Sequence, residues 1–255
     1  MELKTVLISQ ARIGSTRLPG KVLKEVNGQS LLQIHLDRLK KSSKVSEIFV
    51  ATTINHQDKV IFDKAKEWGY QAFRGSESNV LDRFYQAVKN SNADWIVRVT
   101  SDCPLLDAKL VDDIISFAHN NKYDYVSNSL LERFPDGQDV EVFKFSALEK
   151  AWENANLKSD LEHVTPYIRN NANGKGDNVF SSKNFDCEKD FSKIRMTVDE
   201  PRDFNLIEYL IQKLGTEKTW LEYTNYIIDN DLISMNNQII RNEGLLKSLK
   251  NDTNG

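Results

Sequence analysis

Apolar and polar positions alternate along the first half of the chain in two different periods, which predict strands and helices in turn. Short, nearly continuous apolar runs predict strands at residues 3–9, 47–52, 71–73, 95–99 and 123–127. Between them, apolar residues three or four positions apart predict amphipathic helices at residues 30–42, 57–68, 79–90 and 107–120. Ser30, Asn79 and Asp107 stand where three of these helices begin and can cap free backbone N–H groups. This alternation predicts an α/β fold, a mostly parallel sheet with helices on both faces.

The second half of the chain is less regular. A strand pattern at residues 138–145 predicts a small antiparallel element, and two helices are predicted at residues 146–155 and 160–170. A turn cluster at 171–178 precedes predicted strands at 179–181 and 193–198. Pro201 then opens a helix that reaches about residue 214, and one or two further helices are predicted over 220–249. We expect one domain over residues 1–250 and a frayed tail at 251–255.

A loop rich in small and basic residues follows the first predicted strand. Residues 11–21 read Ala-Arg-Ile-Gly-Ser-Thr-Arg-Leu-Pro-Gly-Lys, so that Arg12, Arg17 and Lys21 lie within ten positions. Glycine lets the backbone approach an anion, free N–H groups point at it, and cations balance its charge. The spacing matches neither a P-loop nor a dinucleotide-binding loop. The residues alone leave two readings open, a phosphate-binding loop and an ordinary solvated polar loop.

Two acidic residues follow predicted strands in the same way as this loop. Asp102 comes just after the strand at 95–99, and Asp199 just after the strand at 193–198. In open α/β sheets ligands bind beyond the carboxyl ends of the strands. Mg²⁺ commonly uses one or two carboxylates together with substrate phosphates and water. The alternative for each is a turn or capping role, and the helix dipole also explains Glu200 and Asp203.

Composition and charge exclude several classes of protein. The chain has 255 residues with 34 Lys and Arg against 37 Asp and Glu, a formal charge of −3, which argues against a nucleic-acid-binding protein. No apolar run is long enough for a membrane helix, and the first residues show no signal-peptide pattern. Cys103 and Cys187 have no zinc-site spacing. These features predict a cytoplasmic protein with reduced thiols and a small anionic ligand.

Four elements, in chain order, resemble the sugar-activating cytidylyltransferases, the family of CMP-KDO and CMP-sialate synthetases. They are the Arg-x-Gly-Ser-x-Arg-Leu-Pro-Gly-Lys loop at 12–21, the run from Arg74 to Arg83, the Asp-x-Pro-Leu segment at Asp102 and the Val-Asp segment at Asp199. The resemblance covers about residues 3–210 and is strongest to the branch of spore coat polysaccharide biosynthesis protein F. It implies a nucleotide-diphospho-sugar transferase-like Rossmann variant that transfers CMP from CTP to a sugar with release of pyrophosphate.

The resemblance also implies roles for individual residues in a nucleotide-binding half, about residues 1–130. Arg12, Arg17 and Lys21 would hold the phosphates, and Asp102 and Asp199 one or two Mg²⁺ ions. The remaining nucleotide contacts would come from the loop backbone and from the base-binding side chains: Ala11, Gly14, Ser15, Arg74 and Ser78.

Acceptor binding is expected in the second half, about residues 131–215, with C-terminal helices at about 216–250. Two segments resemble the Gly-x-Asp-Val-Glu and Glu-His-Val-Thr elements of the branch, which makes Asp139, Glu141, Glu162 and His163 acceptor candidates. The alternative is a half-exposed strand and a core or capping histidine. A KDO-like or sialate-like ulosonate is the expected acceptor, and an amino-substituted KDO or a smaller hydroxylated acceptor is also compatible with the sequence. Ulosonate synthetases often dimerise through a hairpin in this half, and residues 139–143 are compatible with that.

Two other enzyme classes and a binding protein are the alternatives. A nucleotidyltransferase that uses UTP or GTP on a sugar phosphate usually has a more glycine-rich first loop. A glycosyltransferase of the same fold typically has an Asp-x-Asp motif, whereas this chain reads Ser-Asp-Cys-Pro at 101–104. A degenerate binding module is disfavoured because Lys21, Asp102 and Asp199 are all present.

Overall fold

A seven-stranded sheet forms the centre of the computed structural model, which describes residues 3–253. The order of its strands is β5-β4-β1-β6-β8-β7-β9, and β2 and β3 form a separate two-stranded antiparallel sheet. The pairs β5–β4, β4–β1, β1–β6 and β7–β9 are parallel, and β8 runs antiparallel to both β6 and β7. The strands are β1 Thr5–Gln10, β2 Glu25–Val26, β3 Gln29–Ser30, β4 Glu47–Thr53, β5 Gln71–Gly75, β6 Trp95–Thr100, β7 Tyr125–Ser127, β8 Glu141–Lys144 and β9 Ser182–Asn184.

The helices of the first half form where amphipathic periodicity predicts them. The side-chain oxygens of Ser30, Asn79 and Asp107 each accept a backbone N–H bond, which confirms the three predicted caps. Short 3₁₀ turns at Lys21–Leu23, His56–Asp58 and Leu232–Met235 add to ten α-helices. The helices are α1 Leu31–Leu39, α2 Lys59–Glu67, α3 Val80–Val88, α4 Ala108–Asn121, α5 Phe145–Asn154, α6 Lys158–His163, α7 Pro166–Asn170, α8 Pro201–Leu214, α9 Trp220–Asp229 and α10 Glu243–Thr253.

Apolar side chains from both faces of the sheet are buried under these helices. Ile8 of β1 packs in one cluster with Phe84 of α3 and Leu148 of α5. Leu7, its neighbour in β1, packs in another cluster with Ile115 of α4. Successive strand residues point to opposite faces, so both faces are covered, and the predicted α/β fold with its antiparallel element is confirmed.

The strand predicted at 193–198 is wrong: Lys193 lies in a turn, Arg195 forms a single parallel bridge with Asp136, and the segment pairs with two loops. Met196 donates its N–H to the carbonyl of Asp136 at 2.7 Å, and Val198 donates to the carbonyl of Asp102 at 2.8 Å. Gly137 has φ 100°, and a Cβ there would lie 2.6 Å from the backbone of Met196. The close approach explains the glycine, and the bond from Val198 to Asp102 joins the segment before Asp199 to the loop after β6.

Other differences from the predicted elements have local causes. The helix predicted at 160–170 is two helices, because Val164 has φ 72° and Pro166 disfavours helical backbone at the residue before it. The strand predicted at 179–181 lies slightly later, at β9. Of the tail predicted to fray at 251–255, residues 251–253 form the end of α10, and residues 254–255 lie outside the described part of the chain. Within residues 3–253, none of the helices combines the length and apolar character needed to cross a membrane.

Candidate functional site

A cleft of about 940 Å³ opens at the carboxyl ends of β1, β5 and β6. Its walls come from the loop after β1, the start of the loop between β5 and α3, Asp102 and Asp199, and the helices α6 and α10. Parallel strands all present their carboxyl ends at one edge, so residues distant in the sequence meet there.

Lys21 joins the two acidic residues in the floor of this cleft. Its Nζ donates to Asp102 Oδ2 and to Asp199 Oδ1, at 2.7 Å in each case, and only 11% of its side chain is exposed. Burial opposes its charge, but the two carboxylates outweigh burial and raise the pKa of Lys21. Burial likewise opposes the charge of Asp102, yet the Lys21 ammonium holds the pKa of that carboxyl well below its usual range. Lys21 and Asp102 are therefore both charged at neutral pH.

Arg195 holds the carboxylate of Asp199 in position. Its Nη2 donates to Asp199 Oδ2 at 2.8 Å and its Nε to Asp203 Oδ1 at 2.9 Å, and Nη1 bonds Asp136. Asp203 is fully buried and also accepts the backbone N–H groups of Asp199 and Glu200, so it is a structural residue at the start of α8. The sequence analysis missed Arg195, because an arginine in an apolar strand pattern carries no signal for its partners.

The loop after β1 places its cations at the rim of the cleft. Arg12 and Arg17 both line the cleft, and each forms an ion pair: Arg12 with Glu77 at 3.4 Å, and Arg17 with Asp199 at 3.2 Å. The loop is fixed from beneath by Asp58, which accepts the N–H of Ile13 at 2.7 Å. Ala11 and Ser15 line the cleft, but Gly14 is not among its lining residues.

The segment after β5 forms another wall. Residues 75–78, Ser78 among them, line the cleft. Arg74 does not line it, and it donates instead to the carbonyls of Thr53, Ile54 and Asn55 at 2.7–3.0 Å. This arginine thus fixes the turn after β4, which lies beside the cleft.

The four acceptor candidates divide into two pairs. Glu162 and His163 of α6 line the cleft. Glu141 and Asp139 do not: Glu141 has 7% of its side chain exposed and forms an ion pair with Arg98, and Asp139 forms one with Arg241. Glu141 also accepts hydrogen bonds from two buried hydroxyl groups, those of Tyr125 and Thr165.

Two carboxylates at one point fit a divalent cation that takes its other ligands from phosphate and water. No group of three or more His, Cys, Asp or Glu side chains in residues 3–253 is arranged to hold a metal ion. Asp102 and Asp199, however, both contact the Lys21 ammonium at 2.7 Å, so their oxygens already converge on a single positive charge. Mg²⁺ is commonly bound by one or two carboxylates together with substrate phosphates.

Some residues that line the cleft carried no signal in the sequence analysis. Among them are Lys158 at the start of α6 and three residues of α10, Glu243, Gly244 and Lys247. The amphipathic pattern of a terminal helix indicates that it packs on something, but not on what.

Comparison with known proteins gives consistent matches over most of the chain. A family model described as cytidylyltransferase matches residues 6–228. An uncharacterized protein of Methanocaldococcus jannaschii is 44% identical over 208 residues, which are 80% of this chain and 82% of that protein. Spore coat polysaccharide biosynthesis protein SpsF of Bacillus subtilis is 31% identical over 222 residues, 82% of this chain and 87% of that protein. The solved structure of a cytidylyltransferase from Leptospira borgpetersenii serovar Hardjo-bovis has a TM-score of 0.84 at 31% identity, covering 94% of this chain and all of that one.

Proposed function

Because the chain belongs to the cytidylyltransferase family, we propose that it transfers CMP from CTP to a ulosonate-type sugar acid and releases pyrophosphate. The observation that carries this proposal is Lys21 between Asp102 and Asp199, below a rim that holds Arg12 and Arg17. Cations for phosphates and carboxylates for a divalent cation meet there in one cleft at the carboxyl edge of the sheet.

In the proposed reaction, an acceptor hydroxyl oxygen attacks the α-phosphorus of CTP. The bond from that phosphorus to the bridging oxygen breaks, the pair of electrons leaves with pyrophosphate, and the hydroxyl proton passes to solvent. Arg12, Arg17 and Lys21 hold the β- and γ-phosphates and balance the charge of the leaving group. Such a transfer depends chiefly on positioning and charge neutralisation, which a rigid loop at a strand end provides.

Asp102 and Asp199 are the residues that would hold Mg²⁺. Bound there, the ion would neutralise charge at the α-phosphate and lower the pKa of the attacking hydroxyl. Arg195 keeps Asp199 in place through a bond of 2.8 Å, so this carboxylate does not depend on Lys21 alone for its orientation.

Ser78 and the backbone of residues 75–78 are the proposed contacts for the base. A hydroxyl or carbonyl oxygen can accept from the amino group of cytosine, which UTP lacks. Arg74 supports this wall by holding the carbonyls of residues 53–55. For the acceptor we propose Glu162 and His163, which line the same cleft.

The test is pyrophosphate release with Mg²⁺, each of the four nucleoside triphosphates, and a panel of ulosonates, neutral sugars and sugar phosphates. Release that requires CTP and a ulosonate, and that is lost in Asp102→Asn, supports the proposal. Asp113→Asn is the matched control, because Asp113 is partly exposed on α4, lies outside the cleft and pairs with the exposed Lys109. Release with UTP or GTP and a sugar phosphate would replace this proposal by the other nucleotidyltransferase class.

A further inference from the structure

The last helix returns to the cleft although it lies beyond the part of the chain that the family model matches. The match ends at residue 228, and α10 runs from Glu243 to Thr253. Glu243, Gly244 and Lys247, at the start of α10, line the cleft. A helix outside the family's shared region thus supplies one of its walls.

Side-chain hydrogen bonds attach α10 to α6. Ser248 donates its hydroxyl to Glu162 Oε2 at 2.7 Å and lies 3.1 Å from His163 Nε2. Asp252, one turn further along, accepts the backbone N–H of Ser159 at 3.2 Å. Ser248 is buried, so the acceptor candidates Glu162 and His163 depend on α10 for their positions.

The positive charge of this wall comes from two lysines. Lys158 of α6 and Lys247 of α10 both line the cleft. Lys247 forms an ion pair with Glu243 at 2.6 Å, and Glu243 forms a second ion pair with Arg17 at 3.1 Å. Lys158 forms no salt bridge with any residue between 3 and 253. Burial lowers the pKa of His163, so the histidine adds no charge at neutral pH.

We propose that α6 and α10 form the acceptor-binding wall and that Lys158 and Lys247 bind the carboxylate of an acidic acceptor. This inference rests on the proposed function and names the residues that bind the acid group of its acceptor. The acid would contact two ammonium groups, that of Lys158, which has no ion pair among the described residues, and that of Lys247, whose partner Glu243 also binds Arg17. Glu162 and His163, held by Ser248, remain beside it for the hydroxyl groups of the sugar.

The experiment compares an acid with its neutral ester. Wild-type protein is assayed for CTP-dependent pyrophosphate release with 3-deoxy-manno-octulosonate and N-acetylneuraminate, and with the methyl ester of each. We expect Lys158→Gln and Lys247→Gln each to raise KM for the acid about 10-fold, the usual size of one lost charge-assisted hydrogen bond, with KM for CTP unchanged. KM for the ester should not change. Lys250→Gln, one turn along the same helix and not a cleft residue, is the control.

Each other outcome overturns the inference in a different way. If both lysine variants keep the wild-type KM for the acid, or lose affinity equally for acid and ester, the lysines do not bind the carboxylate. If the wild type uses neutral sugars and no acid, the acceptor class is wrong although CMP transfer stands. If no acceptor supports pyrophosphate release from CTP, the proposed function is wrong, and the inference that rests on it is wrong as well. Ser248→Ala tests the position of α10 apart from the charge of its lysines. Loss of the Ser248 hydrogen bonds should loosen α10 and raise KM for the acid and for the ester alike.

Discussion

Replacing Lys21 should show how much its positive charge, as distinct from the packing of its side chain, contributes to the stability of the protein. In Lys21→Met the aliphatic stem remains, but the ammonium that both Asp102 and Asp199 contact at 2.7 Å is lost. The two carboxylates then face each other in a site where 24% of each side chain is exposed. Asp199 retains its bond from Arg195, so Asp102 is the anion left with the least compensation.

The magnitude follows from this partial burial. Removing one partner of a buried ion pair costs about 3–5 kcal/mol, and removing one of an exposed pair costs about 0.2–1 kcal/mol. With Lys21 11% and Asp102 24% exposed, we expect a loss of about 2–3 kcal/mol in the free energy of unfolding at pH 7. For a protein of this size the melting temperature should fall by roughly 4–12 °C.

The same change has a defined pH dependence. Lys21 holds the pKa of Asp102 below that of the unfolded chain, so its contribution is complete above about pH 4 and is lost as the pH falls further. The stability difference between wild type and Lys21→Met should therefore be constant from pH 7 to about pH 5. It should shrink towards pH 3, where the unfolded carboxylates are protonated.

Urea unfolding followed by tryptophan fluorescence and circular dichroism at a series of pH values measures this difference. Lys41→Met is the matched control, because the Lys41–Glu217 ion pair is 52% and 69% exposed and its loss should cost under about 1 kcal/mol. A Lys21→Met variant as stable as wild type, or a difference that does not shrink in acid, would refute the reasoning.

Three more predictions concern one carboxylate of the site and the buried thiol and imidazole groups. Asp199→Asn should lower kcat/KM by at least about 100-fold, because a neutral amide supplies no negative charge to balance Lys21 or a divalent cation, and steady-state kinetics at saturating Mg²⁺ will check it. Burial raises the pKa of Cys103 well above the ordinary value and also raises the pKa of Cys187. Ellman's reagent should therefore react slowly with the native protein, whereas in urea it should react rapidly with both thiols of each chain. Burial lowers the pKa of His35 to about 4, so unfolding should become easier by about 3 kcal/mol as the pH falls from 7 to 4; His35→Gln should lack this part of the slope in urea titrations, and an unchanged slope would contradict it.

The centre of the site was predictable because it follows from a general property of parallel sheets. Lys21 closes the loop that follows the first predicted strand, Asp102 and Asp199 each follow a predicted strand closely, and the carboxyl ends of neighbouring parallel strands lie at one edge. The helix caps were predictable for a similar reason, since Ser30, Asn79 and Asp107 act within a single turn of chain.

The parts that could not be predicted depend on contacts between distant segments. Arg195 reads as a residue of an apolar strand, and only its tertiary partners Asp136 and Asp203 show that it orients Asp199. The alternation of side chains places Glu141 on one face of its strand. On that face it contacts Arg98 and Tyr125, so its carboxylate does not reach the cleft. The place of α10 against α6 depends on Ser248, whose partners lie 85 and 86 positions away.

The position of β8 in the sheet has a consequence for how the polypeptide is made. β7 comes before β8 in the chain, yet its partners in the sheet are β8 and β9, so it joins the parallel half only after β8 has paired with β6. Until residues 141–144 leave the ribosome, the β6 edge, with Ile96 and Val97 at its centre, has no partner. We expect this nascent intermediate, and any chain truncated before residue 141, to be the most aggregation-prone form of the protein.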